Sequence, residues 1–163
     1  LKSEERTRVW LGVAGLVVNE NGEWLVVMKR YGGLDGKWSL PAGFVQPGET
    51  VDQACFRELA EETNVKPSLQ GFLGFRTGVI KYDISDNLAV FLMTANSQEQ
   101  TIVPQLDELY EARWMSPELL RHDDRTSIMI MELLDIPIEA KPARLEELDA
   151  DNIFGYTAYK LFF

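Results

Sequence analysis

GFVQPGETVDQACFRELAEETNV, residues Gly43 to Val65, joins a Gly-rich turn to a segment that repeats with helical period. Wound at about 100° per residue, Glu58, Glu61 and Glu62 share one side of that helix at spacings i, i+3 and i+4. Phe56, Leu59, Ala60 and Thr63 fall on the other side, the arrangement of a helix that packs one face on a core. Carboxylates so close repel one another by a few tenths of a kcal/mol per pair even when solvated. The neighbouring Arg57 is the only cation the segment offers them. Neutralising one carboxylate is therefore expected to leave stability unchanged or slightly higher. A hard divalent cation would relieve the same crowding and would favour the all-oxygen environment.

The same residues carry a resemblance. The pattern G-x5-E-x7-R-E-U-x-E-E-x-G-U, with U a bulky apolar residue, is the Nudix box, and Gly43, Glu49, Arg57, Glu58, Leu59, Glu61, Glu62 and Val65 fall on it. The one departure is Asn64 in place of the last glycine, a mild change because Asn is the best non-glycine residue for a left-handed helix terminus. The chain thus resembles the Nudix hydrolases. The resemblance covers about Val9 to Leu134 and implies an α/β/α sandwich around a mixed β-sheet.

Composition agrees with one such domain spanning residues 1–163. The chain is 45% apolar and 26% charged, ordinary for a soluble globular protein, and long enough to build a good core. No apolar run approaches the roughly 20 residues of a membrane span, and no signal-peptide pattern is visible. Cys55 is the only cysteine, which fits a reducing cytoplasm and reads as a small buried helix residue. The net charge of −10 argues against a membrane or a stable nucleic-acid partner. It does not argue against a phosphate substrate, because metal-binding carboxylates contribute negative charge and the metal then meets the phosphates. Lys29, Arg30 and Lys37 are basic residues placed to assist.

Read along the chain, strands are expected at Val9–Val18 and Glu23–Arg30 around an Asn21-Gly22 turn. A glycine-containing loop, Tyr31–Lys37, precedes a short extended piece at Trp38–Leu40. The helix of the opening stretch is expected from Val51 to Thr63, with Thr50 as N-cap and Gln53 completing a capping box. Gln70–Val79 and Leu88–Ala95 read as strands joined through Lys81–Asn87, and Ala112–Met115 as another. Ser116-Pro117 opens a short helix at Glu118–Arg121, and Thr126–Leu134 another. The extension 135–163 lies outside the pattern. Its Tyr156, Tyr159, Leu161, Phe162 and Phe163 are too apolar for a free tail, so it is expected to pack on the body or on a second subunit of a homodimer.

The resemblance implies Mg²⁺- or Mn²⁺-dependent hydrolysis of a nucleoside diphosphate linked to another group, by water attack at phosphorus. It implies that Glu61 and Glu62 hold metal with a main-chain carbonyl near Ala42–Gly43, that Glu58 serves as ligand or general base, and that Arg57 and Glu49 form an orienting pair. The base stays open between Glu58 and a carboxylate outside the box. For the latter, a loop glutamate ahead of a Trp-containing strand is typical of MutT-like proteins. Glu108 holds that place, with Asp107 and Glu111 as rivals.

Subfamily markers are mostly missing. The region of Val79, Ile80 and Lys81 lacks the proline of ADP-ribose hydrolases, and the coenzyme A and NADH patterns are absent. Tyr82 falls near the tyrosine of diadenosine polyphosphate hydrolases. By elimination the chain is most similar to MutT-type nucleoside triphosphate pyrophosphohydrolases. ADP-ribose, nucleotide sugars and diadenosine polyphosphates are the alternative substrates, and a non-catalytic ligand sensor is the alternative role. Tyr31, Phe75 and Tyr82 are candidates to stack on a base.

Overall fold

The computed structural model describes residues 8–136, Ala143, 145–147 and 160–162. Within them, β1 (Val9–Val18) and β2 (Trp24–Lys29) are apolar along nearly their whole length, as strands covered on both faces must be. The Asn19 side chain shapes the turn between them, its Oδ1 accepting from the Asn21 and Glu23 amides at 3.0 and 2.9 Å. Gly22 supplies the positive φ of 75° that closes it.

The two strands pair only at Val18–Trp24 and then part. β4 (Ala42–Phe44) takes the place beside β1, antiparallel through Gly12–Phe44, Val13–Gly43 and Ala14–Ala42. On the other flank, β2 pairs with β3 (Trp38–Ser39) and β7 (Leu109–Met115). β1 runs parallel to β6 (Ile84–Thr94), which pairs antiparallel with β5 (Ser68–Ile80). A seven-stranded mixed sheet results, splayed between β1 and β2.

Alternate residues of the sheet face two cores. Val13, Val17, Leu25, Phe91 and Met93 meet Ala54, Cys55 and Leu59 of helix α1 (Val51–Thr63). Leu16, Trp24, Val26 and Trp38 meet Leu120, Ile130 and Leu133 of α2 (Pro117–His122) and α3 (Ile128–Leu134). This is the expected sandwich of helices on both faces of a mixed sheet. No helix among the described residues is long and apolar enough to cross a membrane.

α1 begins and ends where expected. Gln53 Oε1 accepts from the Thr50 backbone amide at 3.0 Å to complete the capping box, and Asn64 closes the helix with φ 63° and ψ 13°. Three expectations need correction. Ala42–Phe44 forms a strand rather than part of a turn, because the splay leaves the edge of β1 open to it. The β5–β6 connection is only Lys81–Asp83, with Lys81 and Tyr82 both at positive φ as a type I′ turn requires. On α1, Glu62 is on the buried side at 1% exposure, while Phe56 and Ala60 are only partly buried.

In the C-terminal extension, β8 (Leu145–Glu147) pairs with β9 (Lys160–Phe162). Ala143 exchanges backbone hydrogen bonds with Phe72 at 2.8 and 3.0 Å, and the Lys160 ammonium reaches Asp52 at 2.7 Å. Ala143 and Lys160 thus contact the body of the chain. Tyr156, Tyr159 and Phe163, and the side chains of Leu161 and Phe162, lie outside the described residues.

Candidate active site

Arg57 ties the turn to the helix. Its Nε and Nη2 donate to the two oxygens of Glu49 at 2.7 and 3.0 Å, a bidentate fork that only a planar guanidinium makes. Nη2 also donates to the Phe44 carbonyl at 3.0 Å, and Nη1 to Glu58 at 2.8 Å and Glu61 at 3.2 Å. Hydrogen bonds from Arg57, helped by the Gln46 amide, hold the Glu49 carboxyl below its usual range. Arg57 is itself pushed up, chiefly by Glu49. Arg57 and Glu49 are thus paired across the turn and the helix.

Gly43 is fixed by close approach. A Cβ there would lie 2.1 Å from the Glu58 Cδ, so any side chain would drive Glu58 out of its place between β4 and Arg57. Burial raises the Glu58 carboxyl above its ordinary pKa, with Arg57 opposing. Glu61, one turn from Arg57, is half exposed.

Glu62 points the other way, into the splay of the sheet. Its Oε1 accepts from Lys29 Nζ at 2.6 Å and its Oε2 from the Ala42 amide at 3.3 Å. The same ammonium donates to the Ala42 carbonyl at 3.3 Å. Burial raises the Glu62 carboxyl, and the charge of Lys29 works against that rise. The acidic cluster therefore has a second cation besides Arg57. Sequence spacing did not show it, because Lys29 ends a strand far away in the chain. In sequence it appears only as a lysine closing an otherwise apolar run, among the basic residues placed to assist.

Lys29 also lines a cleft of about 450 Å³ with Tyr31, Asp107 and Glu108. The loop carrying Glu108 is held there by main chain: Arg30 N donates to the Glu108 carbonyl at 3.0 Å, and Glu108 N to Gln105 O at 3.0 Å. Tyr31 and Glu108 are thus brought to one cleft with the cation of Glu62. Arg30 is committed elsewhere, stacked 4.6 Å over the Tyr110 ring and donating to the Leu109 carbonyl at 3.1 Å. Lys37, Phe75 and Tyr82 do not line the cleft. Tyr82 sits fully exposed at the tip of the β5–β6 hairpin. Burial and nearby carboxylates push the Cys55 thiol up to about 12, so it is inert at neutral pH.

Among the described residues no three His, Cys, Asp or Glu side chains converge as an ion cage; Glu58 and Glu61 are paired with Arg57, and Glu62 with Lys29. The donor set nonetheless fits a hard cation. Glu58, Glu61, Glu62 and the Ala42 carbonyl are all oxygen donors, and the Lys29 ammonium already occupies a cation position between two of them.

Residues 9–131 match the NUDIX domain. The chain belongs to the Nudix family. It is similar to Nudix hydrolase 8 of Arabidopsis thaliana, 32% identical over 64% of this chain and 29% of that protein. It is also similar to the ADP-ribose pyrophosphatase of Methanocaldococcus jannaschii, 36% identical over 39% of this chain and 37% of the archaeal enzyme. The chain thus spans well under half the length of these curated relatives. The crystal structure of a MutT protein from Methanosarcina mazei shares the fold, with a TM-score of 0.65 at 23% identity over 78% of this chain and 93% of that one. The Nudix box is the Gly43–Val65 segment built around Arg57.

Proposed function

We propose that this Nudix chain hydrolyses the phosphoric anhydride of a nucleoside diphosphate linked to another group, most closely a nucleoside triphosphate in the MutT manner. The observation that carries the reading is the convergence of Glu62 and the Ala42 carbonyl on one cation position, beside the Arg57 hub and open to the Glu108 cleft. Glu58, Glu61, Glu62 and the main chain at Ala42–Gly43 hold Mg²⁺, with Mn²⁺ as a substitute. Bound there, the ion neutralises phosphate charge and acidifies a water. Arg57 and Glu49 keep the Glu58 and Glu61 carboxylates in place. Glu58 and Glu108 are the two candidate bases: Glu58 has a raised carboxyl pKa, and Glu108 approaches from a second element. Tyr31 lies where a nucleotide in the cleft would meet it. A reducing cytoplasm suits the inert, lone Cys55.

A second reading is favoured by the similarity to an archaeal ADP-ribose pyrophosphatase: the same site cleaving ADP-ribose. The deciding experiment is product identification with Mg²⁺ over nucleoside triphosphates, ADP-ribose, nucleotide sugars and diadenosine polyphosphates. The triphosphates should give the highest kcat/KM, with pyrophosphate released. A higher kcat/KM for ADP-ribose would replace the first reading with the second, and no Mg²⁺-dependent turnover of any of them would remove both.

A further inference from the structure

The Lys29 ammonium lies between oxygens from two different elements, Glu62 Oε1 of α1 at 2.6 Å and the Ala42 carbonyl of β4 at 3.3 Å. A buried carboxylate joined to a main-chain carbonyl is a donor set for a hard cation, and here an internal cation satisfies it. A divalent ion on those oxygens and an ammonium between them exclude one another. They would compete for the same lone pairs, and like charges a few ångströms apart in a buried setting repel strongly. The ammonium has somewhere to go. Lys29 also borders the cleft with Asp107 and Glu108, and its flexible four-carbon stem allows the head group to turn there without moving β2.

We propose that Lys29 is an exchangeable internal cation: before metal binds, its ammonium holds Glu62 and the Ala42 carbonyl in ligating register, and the divalent ion evicts it into the cleft of Asp107 and Glu108. The inference rests on the reading above that Glu62 and the Ala42 carbonyl are metal ligands. It accounts for the contact of so buried a carboxylate as Glu62 with a cation from another element, Lys29 at 2.6 Å. It also means that affinity for the ion is set partly by the ease with which the lysine leaves, and by linkage the ion must weaken the Lys29–Glu62 pair by the same factor.

Two measurements on the full chain test it. In the parent protein, amine acylation read by mass spectrometry should show Lys29 protected without metal. Labelling should rise several-fold with Mg²⁺, while exposed Lys37 and Lys66 serve as unchanged controls. In Lys29→Met, Mn²⁺ titrated at pH 8 should bind about fivefold tighter or more, the low end of ordinary coupling between sites. If that variant does not fold, the labelling of the parent decides alone. Mn²⁺ binding to the parent with Lys29 labelling unaltered by metal overturns this inference and leaves the hydrolase reading standing. A parent chain that binds no Mn²⁺ removes both.

Discussion

Two buried lysine–carboxylate pairs hold opposite ends of α1, and they do different work. At the C-terminal end Lys29 meets Glu62 at 2.6 Å; near the N-terminal end Lys160 of β9 meets Asp52 at 2.7 Å and Thr50 Oγ1 at 3.1 Å. Both carboxylates are almost fully buried. The Asp52 carboxylate keeps one oxygen, Oδ1, without a hydrogen-bond partner among the described residues. The Glu62 pair borders a main-chain carbonyl and an open acidic cleft. A buried ion pair alone therefore marks nothing functional. What separates the two is the main-chain carbonyl and the acidic cleft that Lys29 meets, where Lys160 meets a side-chain hydroxyl.

The largest effect that could break this comparison is at Glu62. Glu62→Gln should lower turnover by roughly 10³-fold or more, since it removes a charged metal ligand. The expectation that relieved repulsion would leave stability unchanged or higher is reversed by Lys29. Losing its countercharge should cost about 1–2 kcal/mol, read as a lower urea midpoint. Equal turnover of variant and parent at saturating Mg²⁺ would remove Glu62 from the site.

Lys160→Met should act on stability alone. Removing one partner of a buried pair typically costs about 3–5 kcal/mol, because the other charge is left uncompensated. Replacing both, as in Asp52→Leu with Lys160→Met, should recover most of that loss. Urea unfolding checks both variants, and kcat per folded molecule should stay close to the parent's, since the pair sits at the opposite end of α1 from Glu62. A loss of kcat without a loss of stability would mean the two pairs are alike after all.

These pairs also show what could be read from the chain. Much that is local to α1 was legible: the capping box of Thr50 and Gln53 follows from spacing, while the Asn64 terminus and the Arg57–Glu49 pair came with the resemblance to the Nudix box. Helical periodicity placed Glu62 with Glu58 and Glu61, yet these side chains spread over a wide arc and the splay of the sheet takes Glu62 inward. Its partner Lys29 and the partner of Asp52 come from strands distant in sequence, which no local pattern brings together. β4 escaped for a related reason. A three-residue strand around Gly43 has no alternation to show, and only the parting of β1 and β2 makes room for it. Arg30 and Tyr82 are substrate candidates in the sequence; packing stacks Arg30 over Tyr110, and a turn sets Tyr82 at a hairpin tip.

Glu108 sharpens the comparison from the cleft side. If the opening beside Lys29 is where chemistry occurs, Glu108→Gln should lower the rate by about 10²-fold, within the range of a positioned acid–base group. Its melting temperature should barely change, because the loop is held by main-chain bonds through Arg30 and Gln105 rather than by the carboxylate. Asp107→Asn serves as the rival: a larger loss there than at Glu108 would transfer the role to Asp107.

The smallest effect is at the end of α1 that carries Glu62. Asn64 has φ 63° and ψ 13°, and its amide donates to the Ala60 carbonyl while its side-chain Nδ2 donates to Thr101 O at 3.3 Å. A β-branched residue resists that left-handed conformation by about 1–2 kcal/mol, so Asn64→Val should lower stability by at least about 1 kcal/mol. Glycine adopts it freely but gives up the Thr101 contact and adds freedom to the unfolded chain. The two terms offset, and Asn64→Gly should fall within about 0.5 kcal/mol of the parent. Urea midpoints at an unchanged slope would report both values as changes in stability rather than in the unfolded state. Should Asn64→Val prove as stable as Asn64→Gly, the helix end is not held by its left-handed residue. The anchoring of Glu62 would then rest on Lys29 and Ala42 alone.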